Sequence, residues 1–247
     1  MEAGILKGRA ALVTGASSGI GEATARALVA AGARVAAVAR RRERLEALAG
    51  ESGGAIAAEA ADVSTEAGAR GAVDFALRTF GRLDLLVNNA GVMLLGPVDV
   101  ARPDDLRRMV ELNLLGVMYA SQAALPHLVA SRGAVVVVSS VAGKVARGGF
   151  AGYSASKFGV AAFAESLRQE MSPRGVRVTV VSPGIVAPEL ADHVTHEPSR
   201  RALAERVAAL TPLRPEDVAD AVLYAVSRPP HVAVGEIVIR PTGQPFP

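Results

Sequence analysis

"AALVTGASSGIG", residues 10–21, decides how the rest of the chain is read. Its first residues form a continuous apolar run, which suits a strand buried on both faces. Gly15 then turns the chain, and from Gly19 onward an alanine-rich helical pattern begins. Gly19 and Gly21 carry no side chains, so backbone can approach a ligand and the helix can pack closely on its strand. Free N–H groups along Ser17, Ser18, Gly19, Ile20 and Gly21, with the positive end of the helix, would face an anion. The spacing is not G-x-x-x-x-G-K-[ST] and no lysine follows, which argues against an ATP-type loop. A glycine-rich turn without a ligand is the bland alternative. The strand before it and the helix after it weigh against that.

The same alternation continues through the chain. Strands are expected at 10–15, 33–39, 55–60, 83–89, 134–140, 176–182 and 235–241. Helical patterns lie between them at 19–31, 41–49, 65–79, 104–130, 152–172, about 199–209 and 215–226. Strictly alternating strands and helices mean a parallel sheet with crossover helices. No linker and no internal repeat interrupts the pattern. The expectation is one α/β domain over 1–247: a doubly wound parallel sheet of about seven strands with helices on both faces. Its cofactor half runs to about 132, and its catalytic and substrate half from 133, with a lid at 187–212. In such sheets ligands bind beyond the carboxyl ends of the strands, near the switch in strand order.

Composition narrows the partners. Half of the 247 residues are hydrophobic, about a fifth are charged and none is cysteine. That is a globular chain without disulfides or thiolate metal ligands. No run approaches the ~18 apolar residues of a membrane helix. The start lacks a signal-peptide pattern. The expectation is a soluble cytoplasmic protein with no membrane partner. The net charge is +3 and the arginines are scattered, so nucleic acid is not an expected partner.

Each strand end then contributes residues. After strand 2 comes "ARRRERLE" (39–46), where an NAD-type site usually has an acid. Arg40, with Arg41, suits a 2′-phosphate, and Ser17 adds a hydroxyl, so the cofactor is expected to be NADP(H). A solvated arginine cluster is the competing reading. Asp62 after strand 3 would accept from an adenine amino group beside the Val63 backbone. As a helix cap it would be redundant, because Ser64 and Thr65 already serve. Asn89, Ala90 and Gly91 close strand 4 in "NNAG" and let backbone pass along the cofactor. Pro183 and Gly184 end strand 6 and would let the backbone near Ile185 meet the nicotinamide amide.

Strand 5 ends in Ser139 and Ser140, and "GYSASKFGV" (152–160) follows. On a helix, Tyr153 and Lys157 form an i,i+4 pair on one face. Reduction of a carbonyl puts charge on oxygen, which needs a proton. A free tyrosine, with a pKa of about 10, exchanges protons poorly at neutral pH. A neighbouring lysine ammonium and an oxidised nicotinamide would lower that value. Ser140 would hydrogen-bond the same oxygen. Asn113 would bind a water linking Lys157 to solvent. Ser139 should point away, by strand alternation.

Taken together, TGxxxGIG at 14–21, NNAG at 88–91, Asn113, Ser140, YxxxK at 153–157 and PG at 183–184 resemble the classical short-chain dehydrogenases/reductases. The resemblance covers nearly the whole chain. It implies a Rossmann-type fold, a nicotinamide cofactor also touched by Tyr153 and Lys157, a catalytic tetrad of Asn113, Ser140, Tyr153 and Lys157, and a homo-oligomer, tetramer or dimer. The base at Arg40 resembles the NADP-preferring branch. "NNAGVMLLGPV", "SLRQEM", "HVTHE" and "EIVIRPT" are most similar to the clavulanic acid dehydrogenase group, which implies an aldehyde, ketone or small β-hydroxy acid substrate and a role in bacterial secondary metabolism such as antibiotic biosynthesis. One departure is visible: Pro188 stands where the family usually has threonine.

The lid holds His193 and His196 at i,i+3. The chain has no cysteine ligand, and a metal site is not expected there or elsewhere. Met93, Leu94 and Leu95 suit a pocket wall or core packing equally, and 145–150 would form the other wall. Against the oxidoreductase stand two rivals. A non-catalytic dinucleotide sensor would be expected to lose Tyr153 or Lys157. An extended epimerase or dehydratase needs a longer substrate domain.

Overall fold

The computed structural model describes residues 4–187 and 193–245. Seven strands, β1 (Ala10–Thr14), β2 (Arg34–Ala39), β3 (Ile56–Ala60), β4 (Leu85–Asn88), β5 (Ala134–Val138), β6 (Arg177–Pro183) and β7 (Glu236–Ile239), form one sheet in the order β3-β2-β1-β4-β5-β6-β7. Every neighbouring pair is parallel. The strand order reverses between β1 and β4, so the expected switch point lies at the end of the glycine-bearing strand.

The helices are α1 (Gly19–Ala30), α2 (Arg42–Gly50), α3 (Glu66–Phe80), α4 (Pro103–Val110), α5 (Gly116–Ser131), α6 (Ala151–Met171), α7 (Glu197–Ala208) and α8 (Pro215–Val226). Alternation along the strands divides them between two cores. Val13, Val87 and Val136 face Leu28 of α1, Leu45 of α2 and Val222 of α8. Leu12, Leu86 and Val137 face Val73 of α3, Leu128 of α5 and Val160 of α6. Each such side chain, fully buried, stabilises the fold by about 1.5–3 kcal/mol. Among the described residues, no helix is long and apolar enough to cross a membrane.

Two expectations need correction. The helix expected at 104–130 is divided by a π-helical segment, Glu111–Leu115, in which the Gly116 N–H reaches back to the Glu111 carbonyl. The extra residue turns Asn113 inward, where it is wholly buried. Gly116 lets this backbone approach β3's outgoing loop, since a Cβ there would lie 2.6 Å from the Val63 carbonyl oxygen. The strand expected to run to Ser140 stops at Val138, which leaves Ser139 and Ser140 beyond the sheet. The lid expected at 187–212 contains α7, and its two ends are tied by a bridge between Val186 and Leu213. Pro188, the departure noted in the sequence, lies outside the described residues.

Asp84 fixes the opposite, amino-terminal end of the central strands. Its buried carboxylate accepts from Arg82, Arg9 and the Ala10 N–H at 2.7–2.9 Å. Its backbone bonds β1 through Ala10 and β5 through Ala134. Burial pushes the carboxyl pKa up, but these hydrogen bonds outweigh it and hold it below the usual range. Asp84→Ala is expected to cost about 2–3 kcal/mol in urea unfolding at pH 7, the scale of lost charged hydrogen bonds. A loss below about 0.5 kcal/mol, the size of an ordinary surface substitution, would contradict this role.

Candidate active site

A cavity of about 490 Å³ runs along the carboxyl ends of the strands, from Arg40, Arg41 and Arg44 at one end to Tyr153, Phe150 and Leu203 at the other. Its floor is made where β1 meets β4. Gly15 has φ +69° and Gly19 φ +53°, a region that favours glycine. A Cβ on Gly21 would lie 2.2 Å from the Gly15 carbonyl oxygen, so α1 packs against its own loop only through glycine. Thr14 Oγ1 accepts from the N–H groups of Asn89 and Ala90, both at 3.1 Å. Asn89 returns its Nδ2 to the Thr14 and Gly15 carbonyls. NNAG is therefore a latch on the glycine loop as well as a passage along the cavity.

The loop is left open to an anion. Ser18 is the N-cap of α1 but makes no side-chain capping bond, forgoing roughly 1 kcal/mol. Its hydroxyl instead accepts from Arg41, whose Nε also donates to Ser17 Oγ at 3.0 Å. Arg40 stands exposed on the same rim. Uncapped first-turn N–H groups beside converging guanidinium groups fit a diphosphate with a further phosphate nearby. Arg44, which the sequence reading left out of the site, lines the same end.

Asp62 is less open than expected. Its Oδ1 accepts from the Ser64 N–H and hydroxyl at 3.0 and 2.7 Å, while Thr65 caps α3. Burial pushes this carboxyl up, but the Ser64 bonds and the charge of Arg40 outweigh it, so its pKa stays low. One face of the carboxylate is thus spent on the turn. Val63 sits beside it in the cavity wall.

At the far end the four tetrad residues come together. Ser140, past β5, accepts from the Ala142 N–H at 3.1 Å and hydrogen-bonds the Tyr153 hydroxyl. Lys157, one turn on from Tyr153, donates its Nζ to the Val138 carbonyl at 3.0 Å. Ser139 turns away, as alternation requires, to the Lys157 carbonyl. Asn113 is held on both sides of its amide: Oδ1 accepts from the Val92 N–H, and Nδ2 donates to the Val92 carbonyl and to Ser156 Oγ. Its amide therefore clamps β4's outgoing loop onto α6. Any water between it and Lys157 must use a remaining lone pair. Ser156 itself bonds the Tyr153 carbonyl at 2.7 Å and was not singled out in the sequence.

The electrostatics correct one expectation. Lys157 does not by itself lower the phenol pKa: burial pushes Tyr153 up to about 12, against the Ser140 hydrogen bond. Burial also pushes Lys157 down to about 8. At neutral pH the site thus holds a protonated phenol beside an ammonium.

At the end of β6, Pro183, Gly184 and Ile185 line the cavity, and of the backbone near Ile185 expected to meet the nicotinamide amide, the Ile185 N–H donates to Gln244 Oε1 at 2.9 Å. A Cβ on Gly184 would lie 2.4 Å from that same oxygen. Gln244 gave no signal in the sequence because it acts across 59 residues. His193 lines the cavity, whereas His196 turns Nδ1 to Ser199 and caps α7. Among the described residues no cluster suits a metal. Met93 lines the cavity, while Leu94 and Leu95 pack in the adjoining apolar cluster.

Comparison with known proteins agrees with this geometry. Residues 9–199 match the family described as short chain dehydrogenase. An uncharacterized oxidoreductase of Staphylococcus saprophyticus is 35% identical over 243 residues, covering 97% of this chain and 98% of that protein. The closed form of a serine dehydrogenase complexed with NADP+ superposes with TM-score 0.90 at 31% identity, covering 96% of both chains. A 3-ketoacyl-(acyl-carrier-protein) reductase from Brucella melitensis complexed with NADH superposes with TM-score 0.86 at 30% identity, covering 95% of this chain and 98% of that one.

The buried ammonium makes a testable cost. Because the Lys157 pKa is about 8 in the native state and 10.5 ordinarily, the native state bears the full penalty below pH 8 and is relieved as pH rises toward 10.5. Lys157→Met should therefore raise the unfolding temperature at pH 7, and the gain should shrink between pH 8 and 10.5. A gain that stays constant or grows with pH in thermal unfolding would contradict the assignment.

Proposed function

The chain belongs to the short-chain dehydrogenase family, and on that premise we propose that it is an NADP(H)-dependent oxidoreductase interconverting a small aldehyde or ketone and the corresponding alcohol. The observation that carries this reading is the buried Tyr153 hydroxyl, held by Ser140 with the Lys157 side chain one turn away. A bound nicotinamide supplies the hydride in reduction and receives it in oxidation.

The chain's own residues handle the proton. Tyr153 keeps its O–H at neutral pH and can pass that proton to a carbonyl oxygen as charge develops on it. Ser140 is placed to donate to the same oxygen. Lys157 stays largely charged below about pH 8 and favours the tyrosinate left behind. Asn113 and Ser156 hold α6 in register, so the phenol and the ammonium keep their positions.

The preference for NADP(H) rests on the guanidinium groups of Arg40, Arg41 and Arg44 together with Ser17 at one end of the cavity. A 2′-phosphate there gains charge-assisted bonds that an unphosphorylated ribose lacks. The similar serine dehydrogenase was solved with NADP+, although the similar ketoacyl reductase was solved with NADH, so the arginines rather than the fold must choose.

Two measurements test this. Cofactor-fluorescence titration should give at least about tenfold tighter binding of NADPH than NADH, and Arg40→Ser with Arg41→Ser should erase most of that ratio. Equal affinities in the wild type would overturn the arginine argument. Tyr153→Phe should lower kcat by about 10²–10⁴-fold, the range for a lost general acid, with NADPH binding kept. Full turnover in that variant would overturn the proton assignment.

A further inference from the structure

Two stretches far apart in sequence meet where β6 ends. The segment that follows β7 turns back on itself, with the Gln244 N–H donating to the Pro241 carbonyl at 2.9 Å. That turn brings Gln244, buried at 6% exposure, onto the cavity wall. Its Oε1 accepts from the Ile185 N–H at 2.9 Å. Gly184 makes the approach possible, because a Cβ there would lie 2.4 Å from that oxygen and 3.2 Å from Pro241 Cδ. Beside it, Gly243 packs on Leu210, in ordinary contact at 3.8 Å from where its Cβ would stand.

Both contacts fall near the roots of the segment that covers the substrate end. The chain leaves the sheet after Pro183 and returns at Leu213, just ahead of α8. Two backbone bonds join these roots: the Leu213 N–H donates to the Ile185 carbonyl at 2.9 Å, and the Ala187 N–H to the Leu213 carbonyl at 2.8 Å. Ile185 thus gives its carbonyl to Leu213 and its N–H to Gln244. A two-bond bridge outside the sheet has no further ladder to share its load. Removing the Gln244 acceptor would leave a half-buried N–H unsatisfied, which costs more than the bond itself contributes. Between the roots, Val194 and Leu203 pack in one apolar cluster with Tyr153, and Leu203 and Val207 of α7 line the cavity.

We propose that Gln244 is a positioning residue: it fastens the roots at Ile185 and Leu213, and so fixes where Leu203 and Val207 stand beside Tyr153 to receive a substrate. The inference rests on the oxidoreductase reading above. The groups that handle the proton have fastenings of their own, Ser140 at the Ala142 N–H and Lys157 at the Val138 carbonyl. Loss of the Gln244 acceptor therefore weakens capture of the substrate and leaves the chemical step nearly intact.

Amide hydrogen exchange on the full chain without cofactor tests the fastening. Gln244→Met keeps the length of the side chain and removes the acceptor. It should speed exchange by about tenfold or more at Ala187 and Leu213, whose N–H groups bond each other's stretch, while Val136 and Val180 in the sheet stay within about twofold. Gly184→Ala drives a Cβ into the same oxygen and should give the same change, and it serves alone if the methionine variant does not fold. Because both act on one contact, the double variant should add little to either. With NADPH and a carbonyl compound that the wild type turns over, Gln244→Met should raise KM at least about fivefold and lower kcat less than about threefold. Its affinity for 2′,5′-ADP, which probes the Arg40 end, should not change. Unchanged exchange at Ala187 and Leu213, or an acceleration shared equally by Val136, overturns the fastening. A lower kcat at unchanged KM overturns the role in capture. Failure of the wild type to bind NADPH overturns the oxidoreductase reading and with it the role in capture, while the exchange pattern still decides the fastening.

Discussion

Lys157 carries an ammonium into a buried corner, where the Val138 carbonyl accepts from it at 3.0 Å and a phenol lies one helical turn away. Such a charge is costly to bury, and one hydrogen bond of about 1 kcal/mol does not offset it. The surrounding fold has to hold it there. β5 stops so that its last carbonyl is available, Ser139 fastens the Lys157 backbone, and Gly143 lets the turn after β5 approach that backbone where a Cβ would lie 2.7 Å from the Lys157 oxygen. The expense is understandable as the charge that makes a buried tyrosine useful in proton transfer.

The same economy of space runs along the cavity. Gly15 and Gly21 let α1 start against β4's end, and Thr14 and Asn89 lock the two loops together. The π-helical segment turns Asn113 inward, where it joins that lock to α6 through Ser156. The phosphate-facing loop and the proton-handling helix are thereby linked through two short hydrogen-bonded contacts. Misplacing either would misalign the other, which is the reason positioning matters to the chemistry.

Much of this was legible in the sequence because it depends on local rules. Continuous apolar runs such as Ala134–Val138 announce strands buried on both faces, and the glycines of 15–21 announce the phosphate loop. Tyr153 and Lys157 meet because i and i+4 share a helix face. Contacts across long stretches of chain were not legible. Gln244 reaches Ile185 only once the sheet has formed. Nor could spacing reveal that Asn113 commits both amide hydrogens and one oxygen lone pair to Val92 and Ser156, or that burial outweighs the Ser140 hydrogen bond in setting the Tyr153 pKa.

The central claim is that the protein without cofactor holds Tyr153 as a protonated phenol, poised to give its proton away. The chain has three tyrosines, so ¹³C labelling of the ring carbon bearing the hydroxyl, with Tyr153→Phe to assign the signal, can follow this group alone through a pH titration. The account predicts a Tyr153 pKa near 12 in the cofactor-free protein, falling when NADP+ is bound. A value at or below the ordinary tyrosine value of about 10 in the cofactor-free protein would contradict it.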